Sequence, residues 1–433
     1  MTPPPLPNGL QQVIDRVAQQ YAGQPAYTRR VAMFRDCFAN TYETTLRPME
    51  DGSTFVITGD IPAMWLRDSS AQVRPYLLGV QDPQVYDLIA GVVRRQMAFI
   101  QIDPYANAFN SEPNGASWDP HDETDQKSLW LWERKYEIDS LCYPLQLAHL
   151  LWKQSGRTDH LDADYRAAAA TILATWQLEQ DHRNSPYFFR RANCPAQDTI
   201  SHDGRGAPVA ITGMTWSGFR PSDDACVYGY LIPANMFAVV ALGYLAEAAE
   251  VVLADAALAE QARSLANEIR AGIAAHAIYQ HPVHGPIYAY ETDGFGNYTL
   301  MDDANVPSLL ALPYLGWCDP TDPIYQNTRR FVLSSDNPFY YQGQAAKGIG
   351  SPHTPARYIW PIALSVQGLT SNDPQEQERL LQLLEATDAG TGLMHEGFHV
   401  DDPSQFTRPW FAWANSMYAE LVLRVCGLQV TAS

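Results

Sequence analysis

Gly229–Ala248, GYLIPANMFAVVALGYLAEA, is apolar around nearly its whole circumference, and Glu247 is its only charged residue. A helix of that kind has no face to turn to water, so it belongs in an interior, ringed by other helices. A polar, acidic run leads into it. The same signature, a polar cluster followed by an apolar helix rich in aromatics and proline, recurs at Gly59–Gly79, Glu137–Trp152, Asp302–Trp317, Ala356–Gly368 and Arg408–Leu423. Between these segments run ordinary amphipathic helices, with charges on one face and Leu, Ile, Val or Ala on the other: Gln84–Ile102, Ala163–Gln180, Leu253–Ala277, Ile324–Ser334 and Pro374–Ala386. A further one lies within Asn8–Tyr42.

Buried helices alternating with amphipathic ones predict an all-α fold, the (α/α)6 toroid, a double ring of helices with small β-hairpins in its loops. Thr54–Ile57 and Pro286–Glu291 alternate as such hairpins do. Pro62, Pro307 and Pro409 fit first helical turns, where a missing N–H costs nothing, whereas Pro144, Pro233 and Pro361 fall deeper and would kink their helices. No Gly/Ser linker interrupts the chain, so residues 1–433 are expected to form a single domain.

Composition narrows the function. Lys+Arg total 29 against 48 Asp+Glu, a net charge of −19, and hydrophobic residues make up 46%. So acidic a chain has little with which to neutralise a phosphate backbone or an anionic leaflet, and neither nucleic acid nor membrane is an expected partner. The start, Met-Thr-Pro-Pro-Pro-Leu-Pro, has neither the basic nor the apolar region of a signal peptide, and no stretch reads as a membrane span of about 18 uncharged apolar residues. A cytoplasmic location is the expectation. The six cysteines are scattered without a C-x-x-C pair and read as buried free thiols.

In a helical toroid the inner helix starts gather at one end around a central cavity, so the polar clusters that precede them are the place to seek chemistry. The first holds Asp60, Trp65, Arg67 and Asp68. Asp60 could simply cap a helix and Arg67 pair with Asp68, but an indole face beside bidentate polar groups is also how a sugar is held. The second, 118–139, crowds Glu123, Asp139 and three tryptophans, although half of its charges are expected to be only solvated. The third contains Arg220 and the adjacent pair Asp223 and Asp224. Neighbouring carboxylates repel, and a sheltered member of such a pair keeps its proton and can serve as a general acid; the plainer alternative is a helix cap. Residues 301–305 and His353 look like further contacts, though a lone histidine is commonly structural. The sixth places Glu396 in a glycine-flanked loop, followed by Arg408, Trp410, Trp413 and Asn415.

His395-Glu-Gly-Phe-His399 matches the H-E-x-x-H zinc spacing, which needs an unbroken helix. Gly390, Gly392, Gly397 and the following Val-Asp-Asp-Pro oppose one, so no metal is expected. The Asp-Asp pairs lack an EF-hand loop, and no P-loop, Rossmann or G-x-S-x-G motif calls for a cofactor or a serine nucleophile.

Thr58–Leu77, Ser217–Val240 and Gly392–Leu421 closely resemble glycoside hydrolase family 125, the metal-independent exo-α-1,6-mannosidases. The resemblance runs from about Phe34 to Gly427. It implies an (α/α)6 fold and removal of a terminal α-1,6-linked mannose from an oligosaccharide or glycan with inversion. On the same footing one Asp of the 223–224 pair, Asp223 by preference, matches the general acid and Glu396 the general base. Trp65, Arg67, Asp68, Glu123, Asp139, Arg220, Asp224, His353 and Asn415 are the expected mannose contacts. Two other classes use the same features. A sugar epimerase would need His353 and His399 to face each other across the cavity, and a non-catalytic glycan-binding protein would keep Asp223 and Glu396 out of it.

Overall fold

A computed structural model describes residues 5–431. The proline-rich start and the ends of the expected 1–433 span therefore lie partly outside the described residues. Helices stand at the six expected inner places: Leu66–Val73, Ile138–Ser155, Ile232–Val251, Leu312–Leu315, Pro361–Leu369 and Ala412–Val425. The amphipathic ones run over Thr28–Asn40, Pro83–Ile102, Ala163–Leu178, Ala256–His276, Pro323–Val332 and Pro374–Ala386, with Asn8–Gln20 ahead of them.

Helix packing sorts the two kinds. Leu66–Val73 packs on Ile138–Ser155, which packs on Ile232–Val251, which reaches Leu312–Leu315; Pro361–Leu369 packs on Ala412–Val425, which returns to Leu66–Val73. Among the amphipathic helices, Pro83–Ile102 meets Ala163–Leu178, Ala163–Leu178 meets Ala256–His276, and Pro374–Ala386 meets Thr28–Asn40. One contiguous hydrophobic cluster extends from Leu10 to Leu423.

The two kinds also start differently. Asp82, Asp162, Asp255, Asp322 and Asp373 each cap an amphipathic helix by accepting from an amide of its first turn. None of the six inner helices has a side-chain cap. Instead Met64–Trp65, Tyr230–Leu231 and Tyr358–Ile359 form short strands immediately before three of them. Each strand belongs to a three-stranded sheet that ties distant loops together: with 108–109 and 131–133, with 291–292 and 298–299, and with 397–399 and 406–407. The expected hairpins pair Leu46–Pro48 with Thr54–Val56 and Ile278–His281 with Gly285–Tyr288.

The structure corrects several expectations. Pro62, Pro307 and Pro409 precede their helices, while Pro233 and Pro361 occupy first turns; only Pro144 lies inside a helix. The fourth inner helix is a single turn, because the chain from Asp302 to Ala311 is held by the Asp302 carboxylate, which accepts from Leu309 N at 2.8 Å and Leu310 N at 2.9 Å. Ile232–Val251 is long and apolar enough, by length and composition, to cross a membrane, contrary to the sequence reading; 78% of its most apolar window is buried within the protein.

Candidate active site

A pocket with an empty volume of about 350 Å³ opens where loops meet the starts of the inner helices. Trp65, Arg67 and Asp68 enter from Leu66–Val73 and the strand before it, Ser222 and Asp223 from the 217–229 loop, and His353 and Trp360 from the loop before Pro361–Leu369. Glu396 comes from the turn into strand 397–399, Arg408 and Phe411 from the approach to the last helix, and Trp413 from its first turn. Indole and phenyl rings thus line a site together with six ionisable side chains, Arg67, Asp68, Asp223, His353, Glu396 and Arg408.

Arg67 is its hub. The guanidinium is 3% exposed and touches four carboxylates: Nη1 donates to Glu137 Oε2 at 2.5 Å and Asp139 Oδ2 at 3.2 Å, Nη2 to Asp223 Oδ1 at 3.2 Å, and Nε lies 3.5 Å from Asp68 Oδ2. Its carbon lies 5.6 Å from the Trp413 ring centre. One cation cannot neutralise four buried anions, and protons have to make up the difference. Burial pushes the Asp68 carboxyl up to about 6 despite Arg67. Burial likewise lifts Asp139 to about 6, again against the pull of Arg67, and drives Glu137 well above the usual carboxylate range.

Asp223 behaves oppositely. Burial would raise its carboxyl, but Arg67, a hydrogen bond with Glu137, and the charges of Lys135 and His353 together hold it well below the ordinary range. Asn107 Nδ2 also donates to Oδ1 at 3.2 Å, and Lys135 Nζ to the backbone carbonyl at 2.7 Å. The backbone of Asp223 is left-handed, φ +66°, a strained conformation for a residue other than glycine. That twist sends the two adjacent carboxylates to different partners. Asp224, fully buried, turns to His353 Nδ1 at 2.9 Å. Although burial disfavours its charge, the Asp224 partnership lifts the His353 imidazole to about 9. The mutual repulsion expected of the pair is therefore replaced by two separate ion pairs.

Glu396 faces Arg408, whose Nη1 lies 3.4 Å from Oε1. Arg408 also binds Asp60, Nη2 to Oδ1 at 2.6 Å, and stacks over Phe411, 4.4 Å from the ring centre. The segment carrying Glu396 leads into strand 397–399, so H-E-x-x-H never forms the helical turn that zinc spacing requires. His395 stacks on Phe406 at 3.7 Å between ring centres, and His399 sits edge-on to Tyr358. His399 does not line the pocket opposite His353, as an epimerase would need.

Of the expected contacts, Trp65, Arg67, Asp68 and His353 line the pocket with Asp223 and Glu396. Asp139 and Asp224 stand behind it as partners of Arg67 and His353. Three lie elsewhere. Glu123 is exposed and paired with Arg190; Arg220 is buried against Glu291, Nε to Oε1 at 2.7 Å; Asn415 is fully buried, where Oδ1 accepts from Met394 N at 2.8 Å and holds the backbone two residues ahead of Glu396. Sequence reasoning passed over Glu137, Arg408, Trp360 and Trp413 as site residues. Arg408 and Trp413 sit in the sixth polar cluster and could have been chosen; Asn107, in the bend just before the short strand 108–109, carried no signal.

The metal-independent alpha-mannosidase (GH125) family model matches residues 28–423. The chain belongs to this family. It is thus a glycoside hydrolase, an α-mannosidase. It is 39% identical to the meiotically up-regulated gene 157 protein of Schizosaccharomyces pombe, over 96% of this chain and 85% of that protein. A solved metal-independent α-mannosidase of Streptococcus pneumoniae, in a non-productive complex with α-1,6-mannobiose, is 52% identical, with a TM-score of 0.95 over 99% of this chain and 100% of that one. A further solved glycosidase is similar in fold alone, at 14% identity and a TM-score of 0.53 over 96% of this chain and 99% of that one.

Proposed function

We propose that this α-mannosidase is exo-acting and removes terminal α-1,6-linked mannose with inversion, with Asp223 as general acid and Glu396 as general base. The observation that carries the reading is that both carboxylates line one small pocket walled by Trp65, Trp360, Phe411 and Trp413. The pocket is small, about 350 Å³, which suits a single terminal sugar. The mannobiose bound by the Streptococcus pneumoniae relative supports the linkage. The alternation of inner and outer helices supports a double ring, an (α/α)6 toroid, as one catalytic unit.

An inverting glycosidase sets its acid and base about 6.5–9.5 Å apart, with the attacking water between base and anomeric carbon. Glu396 takes a proton from that water as oxygen attacks C1, and Asp223 protonates the departing glycosidic oxygen. Indole faces give the sugar's apolar side a surface, and Arg67, Asp68 and His353 offer charged hydrogen-bonding partners to its hydroxyls. On this reading the substrate is an imported or intracellular oligosaccharide, in keeping with the proposed cytoplasmic location.

The test is hydrolysis of α-1,6-mannobiose in EDTA, with the released anomer followed by NMR, for wild type and Glu396→Gln. We expect β-mannose from wild type and at least a thousandfold slower release from the variant, as loss of a catalytic general base or its positioned water costs. Release of α-mannose would overturn inversion. An active Glu396→Gln would remove Glu396 as the base.

A further inference from the structure

Asp223 presents a difficulty for the proposed function: an acid catalyst has to carry a proton, yet in the empty site this carboxyl is surrounded by Arg67, Lys135, His353 and the amide of Asn107. The proton that the acid needs is nearby. Glu137 shares a hydrogen bond with Asp223, and both carboxylates lie on the same guanidinium, Glu137 on Nη1 at 2.5 Å and Asp223 on Nη2 at 3.2 Å. Two carboxyl oxygens can share a hydrogen bond only if one of them bears the hydrogen. Glu137 Oε2 is taken up by Arg67 and by the Ser140 hydroxyl, which donates to it at 2.8 Å, while Oε1 is buried without a donor to it. Glu137 immediately precedes the helix Ile138–Ser155, yet its carboxylate does not cap that helix.

We propose that Glu137 is a proton-storing residue: it holds the catalytic proton in the empty enzyme and passes it to Asp223 when substrate binds. The inference rests on the assignment of Asp223 as the acid. Asp223's side chain is 23% exposed in the empty pocket, whereas Glu137's is wholly buried. A sugar seated in the pocket strips water from Asp223 and sets the glycosidic oxygen lone pair beside it, and both changes favour a protonated Asp223. The hydrogen then moves from the Glu137 carboxyl to Asp223, the O–H electron pair remains on Glu137, and the new carboxylate is held by Arg67 Nη1 and the Ser140 hydroxyl. Asp223 next gives this proton to the glycosidic oxygen as the C1–O bond breaks and its electron pair leaves with oxygen. Water bonds to C1 and loses its proton to Glu396. After products depart, that proton passes to solvent and another from solvent reloads the Glu137–Asp223 pair, so one water is consumed and no net proton.

The other titratable groups facing the pair are placed to oppose or assist the transfer. Asp68 and Asp139, from the helices Leu66–Val73 and Ile138–Ser155, disfavour a second negative charge and so keep one proton on the pair. Lys135 faces Asp223 from the loop before Glu137, with Glu133 and Asp198 around its ammonium. His353 approaches from the far side with Asp224 and Glu396 as its own neighbours.

The test compares Glu137→Gln with wild type on two substrates, α-1,6-mannobiose and 2,4-dinitrophenyl α-mannoside, whose leaving group departs without a proton. For mannobiose, kcat at pH 7 should fall at least tenfold and the alkaline limb of the kcat–pH profile should move acidward by at least one unit, with KM changed less than threefold. The dinitrophenyl substrate should lose less than threefold. Glu137→Asp, which keeps a carboxyl, should restore the limb to within half a unit. A wild-type profile in Glu137→Gln, or equal loss on both substrates at every pH, overturns the proposal. Asp223→Asn separates the two claims: it should silence mannobiose and spare the dinitrophenyl substrate, and if it hydrolyses mannobiose normally the acid assignment itself falls. A readout on unmutated enzyme guards against misfolded variants. Infrared difference spectra of 13C-Glu- and 13C-Asp-labelled protein on binding thio-linked α-1,6-mannobiose should lose a glutamic acid C=O band and gain an aspartic acid one; no such exchange overturns the transfer.

Discussion

Replacing Arg67 with methionine tests the electrostatics of the whole site. In the wild type, Asp68 and Asp139 titrate near 6 rather than near 4, so each binds more protons folded than unfolded between those values. Stability from these two groups therefore falls as pH rises from about 4 to 6 and is level above that. Without the guanidinium each carboxyl loses the largest attraction that opposes its burial, and its titration moves above 6. A single carboxyl still protonated at pH 8 removes about 1.36 kcal/mol per pH unit, about 2.7 kcal/mol between pH 6 and 8. Breaking a buried ion pair already costs about 3–5 kcal/mol. Arg67→Met should thus be destabilised at pH 6 and destabilised by about 3 kcal/mol more at pH 8, measured from urea unfolding followed by tryptophan fluorescence. Arg67→Lys, which keeps the charge but cannot span four carboxylates, should lie between. An equal loss at pH 6 and pH 8 would refute the claim that Arg67 keeps these carboxyls from holding their protons into the neutral range.

Two further outcomes follow from other parts of the pocket. His353 titrates near 9 against about 6.5 unfolded, so its pairing with Asp224 contributes fully below about pH 6.5 and is lost as pH rises through 9; with a side chain 34% exposed, the shift is discounted from about 3.4 to about 1.5 kcal/mol. His353→Gln should lower stability by that amount at pH 6 and by almost nothing at pH 10, and a constant loss in thermal melts across that range would count against the pair. Gly59 has φ +132°, and an added Cβ would lie 2.4 Å from the Trp410 carbonyl oxygen. Gly59→Ala should destabilise by about 2 kcal/mol or more and weaken sugar binding by displacing Trp410 and the adjoining Phe411, whereas a Tm and KM like wild type would show that the loop yields freely.

The inner helices were legible because burial on all sides leaves a compositional mark that no surface helix carries: Ile232–Val251 has only two charges in twenty residues, Glu247 and Glu250, both in its last turns. The fourth was overread because Pro307 and Pro313 punctuate an apolar run whose backbone is satisfied by a carboxylate, and apolarity does not reveal which partner an amide has. In the site, residues adjacent in sequence were found and residues joined through space were not. Trp65, Arg67 and Asp68 share one helix start, but Asn107 and Glu137 reach Asp223 across chain separations of 116 and 86 positions. The Asp223–Asp224 pair shows the converse error. Sequence adjacency implied mutual repulsion, but a left-handed φ at Asp223 turns the two side chains apart, a torsion that adjacency alone does not reveal.

The distribution of cations around the carboxylates gives a reason for the proposed division of labour between acid and base. Arg408 serves two carboxylates, Asp60 and Glu396, and Arg67 serves four. A base must present an anion to water, and Glu396 has an arginine shared with only one other carboxylate, itself on the rim at 35% exposure. An acid must have a proton within reach, and the crowd of four carboxylates on Arg67 favours keeping one among them. The two carboxylates are thus distinguished less by their own burial than by how many competitors each has for its arginine. On that argument, adding a second cation beside Arg67 should harm the proposed acid more than removing Arg408 harms the proposed base. Asp139→Asn, which removes one competing negative charge, should move the alkaline limb of the kcat–pH profile, where the acid loses its proton, to lower pH.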